Sequence, residues 1–126
     1  MKSTVAFYKC EKCGNIVELI KNSGQPVVCC GQDMTKLEAQ TADATTEKHV
    51  PVATREGDKI NVVVGSTAHP MLDAHYIEWI VLVTDDGIER INLSPGDEPK
   101  AVFCDREGSV DVYEYCNLHG LWKSTL

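Results

Sequence analysis

At 126 residues, with 43% apolar and 25% charged side chains, the chain has room for one ordinary domain, or for a small domain plus a module that needs outside help to fold. A formal charge of -7 excludes a general nucleic-acid surface, and the lack of any apolar run of about 18 residues predicts neither a membrane span nor a secretory leader, hence a cytoplasmic protein. The charge is uneven: residues 1–36 carry five Lys and three acids, whereas residues 37–126 carry seven Lys and Arg and sixteen acids.

The N-terminal stretch predicts a short strand over Val5 to Lys9, a turn at Cys10–Gly14, a second strand over Ile16 to Ile20, a Gly-Pro turn and the adjacent pair Cys29–Cys30. Residues 37–48 are polar and lack strand periodicity, which reads as a linker. From His49 onward the pattern is β throughout. One hairpin turns at "EGDK", a second turns at Asp85, Asp86 and Gly87, and "KAVFCD" and "SVDVYEYC" supply further strands. Six or seven short strands at regular spacing, with no helix, predict an all-β chain whose main part is a compact antiparallel sandwich of immunoglobulin-like kind.

Four of the six cysteines crowd into residues 10–30. Without a secretory context clustered thiols read as metal ligands, and C-x-x-C followed by Cys29 and Cys30 gives four thiolates for zinc or a single iron. A closing pair of adjacent cysteines is unusual for a zinc knuckle and favours a specialised iron site. The second candidate set is His49, His69, His75 and His119, which are all the histidines of the protein, with Cys116 three positions before the last. Four imidazoles and one thiolate exceed what tetrahedral zinc takes. They suit an ion that prefers five or six ligands, and imidazole suits iron. Cys104 alternates with Val102 and is expected to be a buried strand residue, while Tyr76, Trp79 and Trp122 are expected in the core or in a pocket wall.

The blocks "YKCEKCGNIVE", "VVCCGQDM", "EKHVPV", "AHPM", "HYIEWI" and "EYCNLHGLWK", in this order over essentially the whole chain, resemble the desulfoferrodoxin family of superoxide reductases in its two-iron form. The resemblance implies a desulforedoxin-like Fe(Cys)4 domain at 1–36, a linker at 37–48 and an immunoglobulin-like superoxide reductase domain at 49–126. It implies two iron ions per chain, one on Cys10, Cys13, Cys29 and Cys30. The other would take His49, His69, His75 and His119 as equatorial ligands and Cys116 as axial ligand, with Glu47 and Lys48 as catalytic residues over its open face. Superoxide is then the substrate, reduced to hydrogen peroxide without dioxygen evolution. A homodimer and an electron donor such as rubredoxin are expected, with no nucleic-acid or membrane partner. The alternatives are a non-catalytic iron electron-transfer protein and a structural zinc-binding module.

Overall fold

The computed structural model describes residues 4–42, 48–65 and 68–126. Among them no helix occurs, and none is long and apolar enough to cross a membrane. The described residues fall into two compact units, 4–38 and 39–126.

The first unit holds five very short strands: β1 (Phe7–Lys9), β2 (Ile16–Glu18), β3 (Val28–Cys29), β4 (Gln32–Asp33) and β5 (Thr35–Lys36). β1 is central in a three-stranded antiparallel sheet ordered β2-β1-β5, and β3 and β4 form a separate hairpin. Buried apolar side chains here are few, namely Phe7, Cys10 and Met34, whereas Ile20 and Val28 are exposed. So small a core leaves much of the unit's stability to what its cysteines bind.

The second unit is the sandwich. Its strands are β6 (Pro51–Glu56), β7 (Lys59–Val64), β8 (Ile77–Thr84), β9 (Gly87–Asn92), β10 (Lys100–Cys104), β11 (Asp111–Cys116) and β12 (Gly120–Thr125). Three form one antiparallel sheet, β10-β7-β6, and four form the other, β12-β11-β8-β9. The alternation in β7 shows how the sequence sets this up: Ile60, Val62 and Val64 are buried, while Lys59 and Val63 are exposed. With Ala101 and Phe103 of β10, Ile80 and Leu82 of β8 and Val112 of β11 they make one continuous core. The turns are those the sequence signalled. Gly57 at φ 60° closes the β6–β7 hairpin, and at Asp85–Asp86 the Asp86 N–H donates to Thr84 Oγ1 at 3.2 Å.

Three details differ from the sequence expectation. Cys104 lies in a strand, as expected, but it is exposed, not buried. Phe103 takes the inward side of β10 opposite Ile60, so the next position pairs with Lys59 and faces out. The start of the expected linker is paired: Leu37 N–H donates to Phe7 O at 2.8 Å, and Gln40 bridges Trp122, its N–H reaching Leu121 O at 2.9 Å. A single bridge needs no alternation, so composition carries no sign of it. Finally, β12 follows the short turn after Cys116 directly and buries Leu121 and Trp122 in succession, a pattern that masks the two-residue period.

Candidate metal centres

The first centre is built from two turns. Cys10 N–H donates to Asn15 O and Gly14 N–H returns to Cys10 O, both at 2.8 Å, which folds the C-x-x-C segment back on itself with Gly14 at φ 84°. On the other side Cys30 takes φ 54° and Gly31 φ 76°. Two consecutive side chains reach one point because Cys30 adopts the left-handed conformation, which costs about 1–2 kcal/mol in a non-glycine residue. The cost of directing adjacent cysteines at one point is therefore located in one backbone torsion.

All four sulfurs lie within 4.8 Å of one another, with Cys13 Sγ to Cys29 Sγ at 3.6 Å and Cys29 Sγ to Cys30 Sγ at 3.9 Å. A tetrahedron with metal–sulfur bonds of about 2.3 Å has edges of about 3.8 Å. The thiols cannot share this space as equal acids. Hydrogen bonding from the Cys13 backbone N–H pulls Cys10 down to about 6, and hydrogen bonding with Cys13 pushes Cys30 up to about 12. A divalent or trivalent cation resolves that conflict, so the donor set fits a metal ion.

The second centre draws on loops at one end of the sandwich. His49 precedes β6, His69 and His75 sit in the β7–β8 connection, and Cys116 and His119 bracket the β11–β12 turn. A tight turn in which Leu72 and His75 exchange backbone hydrogen bonds of 2.9 and 3.1 Å presents His75. His69 Nδ1 lies 2.7 Å from Pro70 O, which fixes the proton there and leaves the lone pair on Nε2. Ser124 of β12 donates to Pro51 O at 2.5 Å and draws the start of β6, next to His49, towards the last strand.

The four rings form a closed cycle. Centroid separations are 4.8 Å for His69–His49, 4.7 Å for His49–His119, 4.9 Å for His119–His75 and 4.7 Å for His75–His69. Each neighbouring pair is nearly perpendicular, between 71° and 78°. The His49–His75 diagonal is 6.5 Å, close to that of a square with these edges. His49 Nε2 and His119 Nδ1 are 3.0 Å apart, the spacing of two nitrogens held about 2.1 Å from one ion at right angles.

Cys116 Sγ stands 3.7 Å from His119 Nδ1 and is fully buried, whereas His119 is exposed. Burial pushes the Cys116 thiol up, with Glu114 and Glu78 adding to the effect, while the backbone N–H groups of Leu118 and His119 oppose it. Burial likewise lowers His69 to about 4, and lowers His75 with help from His119, His49 and Lys48. Buried Nε2 atoms of His69 and His75 have no hydrogen-bond partner among the described residues. Unpartnered lone pairs converging beside a thiol are what a metal site requires, so this set also fits its ion.

Desulfoferrodoxin is the description of the family model that matches residues 41–125, and a model of the desulfoferrodoxin N-terminal domain matches residues 3–37. The chain belongs to the desulfoferrodoxin family. A desulfoferrodoxin homolog of Archaeoglobus fulgidus is 51% identical over 98% of this chain and 99% of its own length, and a desulfoferrodoxin of Syntrophotalea carbinolica is 50% identical over 98% of both. Among solved structures, the superoxide reductase of Treponema pallidum superposes with a TM-score of 0.82 at 30% identity, over 97% of this chain and 98% of that one. The two donor sets match the two iron sites of the desulfoferrodoxin family.

All nine residues expected as ligands thus converge into two groups, and Cys104 joins neither. Lys48 is exposed, and its charge is felt at His75. Glu47 lies outside the described residues. Trp122 is pocket wall, as expected: it stacks on His49 at 4.7 Å and 15°, and its Nε1 donates to His119 O at 3.2 Å. Gln40 was not foreseen at all, yet its Nε2 donates to the same carbonyl at 2.8 Å. Nothing in its sequence context marks it, because the contact spans 79 residues.

Cys13→Ser should separate the centres. It removes a thiolate from the first group and no donor from the second, so the red absorption of an Fe(Cys)4 centre should vanish and metal analysis should lose one of the two ions. Loss of both ions together would show that the groups are not independent.

Proposed function

We propose that this protein is a superoxide reductase that carries out one-electron reduction of superoxide to hydrogen peroxide, without evolving dioxygen, at an Fe(His)4(Cys) centre. The reading is carried by the near-square ring of four imidazoles with a buried thiol beside it. It has support from the full-length likeness to the Treponema pallidum superoxide reductase. Iron in this donor set supplies the single electron that superoxide takes up.

The chain's own residues do the rest. Hydrogen bonds in the loops orient His69 and His75, and burial, which lowers the pKa of both, keeps those imidazoles neutral and available at physiological pH. Cys116 would contribute the only anionic donor of the set, with His49, His69, His75 and His119 as the neutral ones. Lys48 places a positive charge beside the site in a region whose acids outnumber its bases, so it draws a small anion against the prevailing field. Solvent on the exposed His119 side supplies the protons of the product. Glu47, next to Lys48, offers a carboxylate that can occupy the site between turnovers.

The same reading divides the chain into a desulforedoxin-like domain at 1–36, a linker at 37–48 and a catalytic domain at 49–126. It has a carrier such as rubredoxin deliver electrons and pairs two chains in a homodimer. The dimer is supported by the small core of the first unit and the exposure of Ile20 and Val28.

Lys48→Ala tests the role of the lysine. A unit charge about 6 Å from the approaching anion, at an effective dielectric of about 40, contributes about 1.4 kcal/mol, or about tenfold in encounter rate. Pulse radiolysis at two ionic strengths should show that loss together with a flatter salt dependence. Glu47→Ala should leave the rate nearly unchanged and shift the resting ferric spectrum. Equal slowing in both variants, with no spectral change in the second, would defeat this assignment.

A further inference from the structure

Asn117 is in neither donor set, yet it stands between Cys116 and His119 and bonds through both the nitrogen and the oxygen of its side-chain amide to the loop that carries His75. Its Nδ2 donates to Ala74 O at 3.0 Å, and its Oδ1 accepts from Tyr76 N–H at 2.9 Å. Its own backbone N–H donates to Tyr76 O at 3.2 Å. The partners are the two residues on either side of His75.

The ladder between β11 and β8 explains why an amide is wanted here. After an irregularity beside Cys116, the last pair is Cys116 with Ile77, and the next antiparallel pair would be Asn117 with Tyr76. Such a pair exchanges two backbone hydrogen bonds. Here the main chain makes one of them, and Oδ1 takes the place of the Asn117 carbonyl in the other. The backbone is thereby released from the sheet immediately after Cys116 and turns so that His119 Nδ1 lies 3.7 Å from Cys116 Sγ.

We propose that Asn117 is a positioning residue whose side-chain amide ends the β8–β11 ladder and fixes the His75 loop against the Cys116–His119 loop. Three of the five donors then hold one geometry. This inference rests on reading the histidine–cysteine group as a metal site. Asparagine suits the task because it presents a donor and an acceptor from one short side chain. Aspartate keeps the acceptor but sets a negative charge against Ala74 O, alanine keeps neither, and glutamine is longer by one methylene.

The test reads metal retention apart from turnover. Wild type, Asn117→Ala and Asn117→Asp are loaded with iron and challenged with a chelator, and the red band of the first centre in the same molecule serves as internal reference. Removing an outer partner of a metal ligand typically costs about 10–100-fold in affinity. Release of second-centre iron from Asn117→Ala should be faster by a factor in that range, with the long-wavelength charge-transfer band expected of a ferric thiolate–imidazole centre displaced and the red band persisting. Asn117→Asp, which retains the Tyr76 hydrogen bond, should fall between, and it carries the test alone if the alanine variant does not fold. Wild-type release with undisplaced bands in the variants would overturn the proposal. So would parallel loss of both bands, which marks general destabilisation. If wild type itself held no iron at the second centre, the metal-site reading would fall, and the proposal with it.

Discussion

Cys116→Ser is expected to abolish superoxide turnover while leaving the first centre intact. The thiol it replaces is fully buried, beside a ring of imidazoles that carry no negative charge, so it is the one donor able to offset the charge of a bound ion. Burial and the carboxylates of Glu114 and Glu78 already oppose its ionisation, and only a cation together with the Leu118 and His119 N–H groups favours it. A serine hydroxyl in the same place is a far weaker acid and stays neutral. Losing an outer partner of a ligand typically costs 10–100-fold, and losing the anionic ligand itself should exceed about 100-fold. Stopped-flow kinetics and the absorption spectrum check this: turnover and the long-wavelength thiolate band should go, and the red band should stay. Retention of the thiolate band would require Cys104 to be the ligand, against its exposed position on β10.

The second large effect is expected at Gly65, at the end of β7. Gly65 has φ 78°, and its N–H donates to Val50 O at 2.9 Å. A Cβ there would lie 2.6 Å from the Lys48 carbonyl carbon and 2.7 Å from its Cα and O. These are backbone atoms, so Lys48 and the adjoining His49 must move. Gly57, at the other end of the same strand, has φ 60° and nothing within 4 Å of the corresponding position, so Gly57→Ala isolates the cost of the left-handed conformation alone. That cost is about 1–2 kcal/mol and should lower the melting temperature by several degrees without changing the superoxide rate. Gly65→Ala should add to this a loss of about tenfold or more in rate, a flatter salt dependence and faster release of second-centre iron. Matching behaviour of the two variants in all three readouts would show that Gly65 serves the fold and not the site.

Residues that announce themselves by chemical type were legible in the sequence. Cysteine and histidine are the residue types that hold soft and borderline metal ions, and each expected ligand is found within reach of its group. The hairpins at Gly57 and at Asp85–Asp86 were legible because their turns demand particular residues, and β7 because its two faces meet different solvents. Residues whose role depends on what lies opposite in space were not. Gln40, Gly65 and Asn117 are ordinary in their local context, and each acquires its role from a main chain remote in sequence. Cys104 shows the converse difficulty: alternation places it in a strand, but only the inward choice of Phe103 decides which face it takes.

The two centres differ in how much chain each encloses, and this bears on how the protein is made. Donors of the first centre lie between Cys10 and Cys30, in a unit that includes nothing beyond Glu38. Donors of the second run from His49 to His119, and β12, which completes its wall through Trp122, follows all of them. Synthesis proceeds from the N-terminus at about 5–20 residues per second, and domains fold as they emerge. The cysteine group is therefore ready for its ion while the ribosome is still translating the sandwich. The histidine ring needs donors from His49 to His119 and the strand that follows them, so it closes later in synthesis than the cysteine group does.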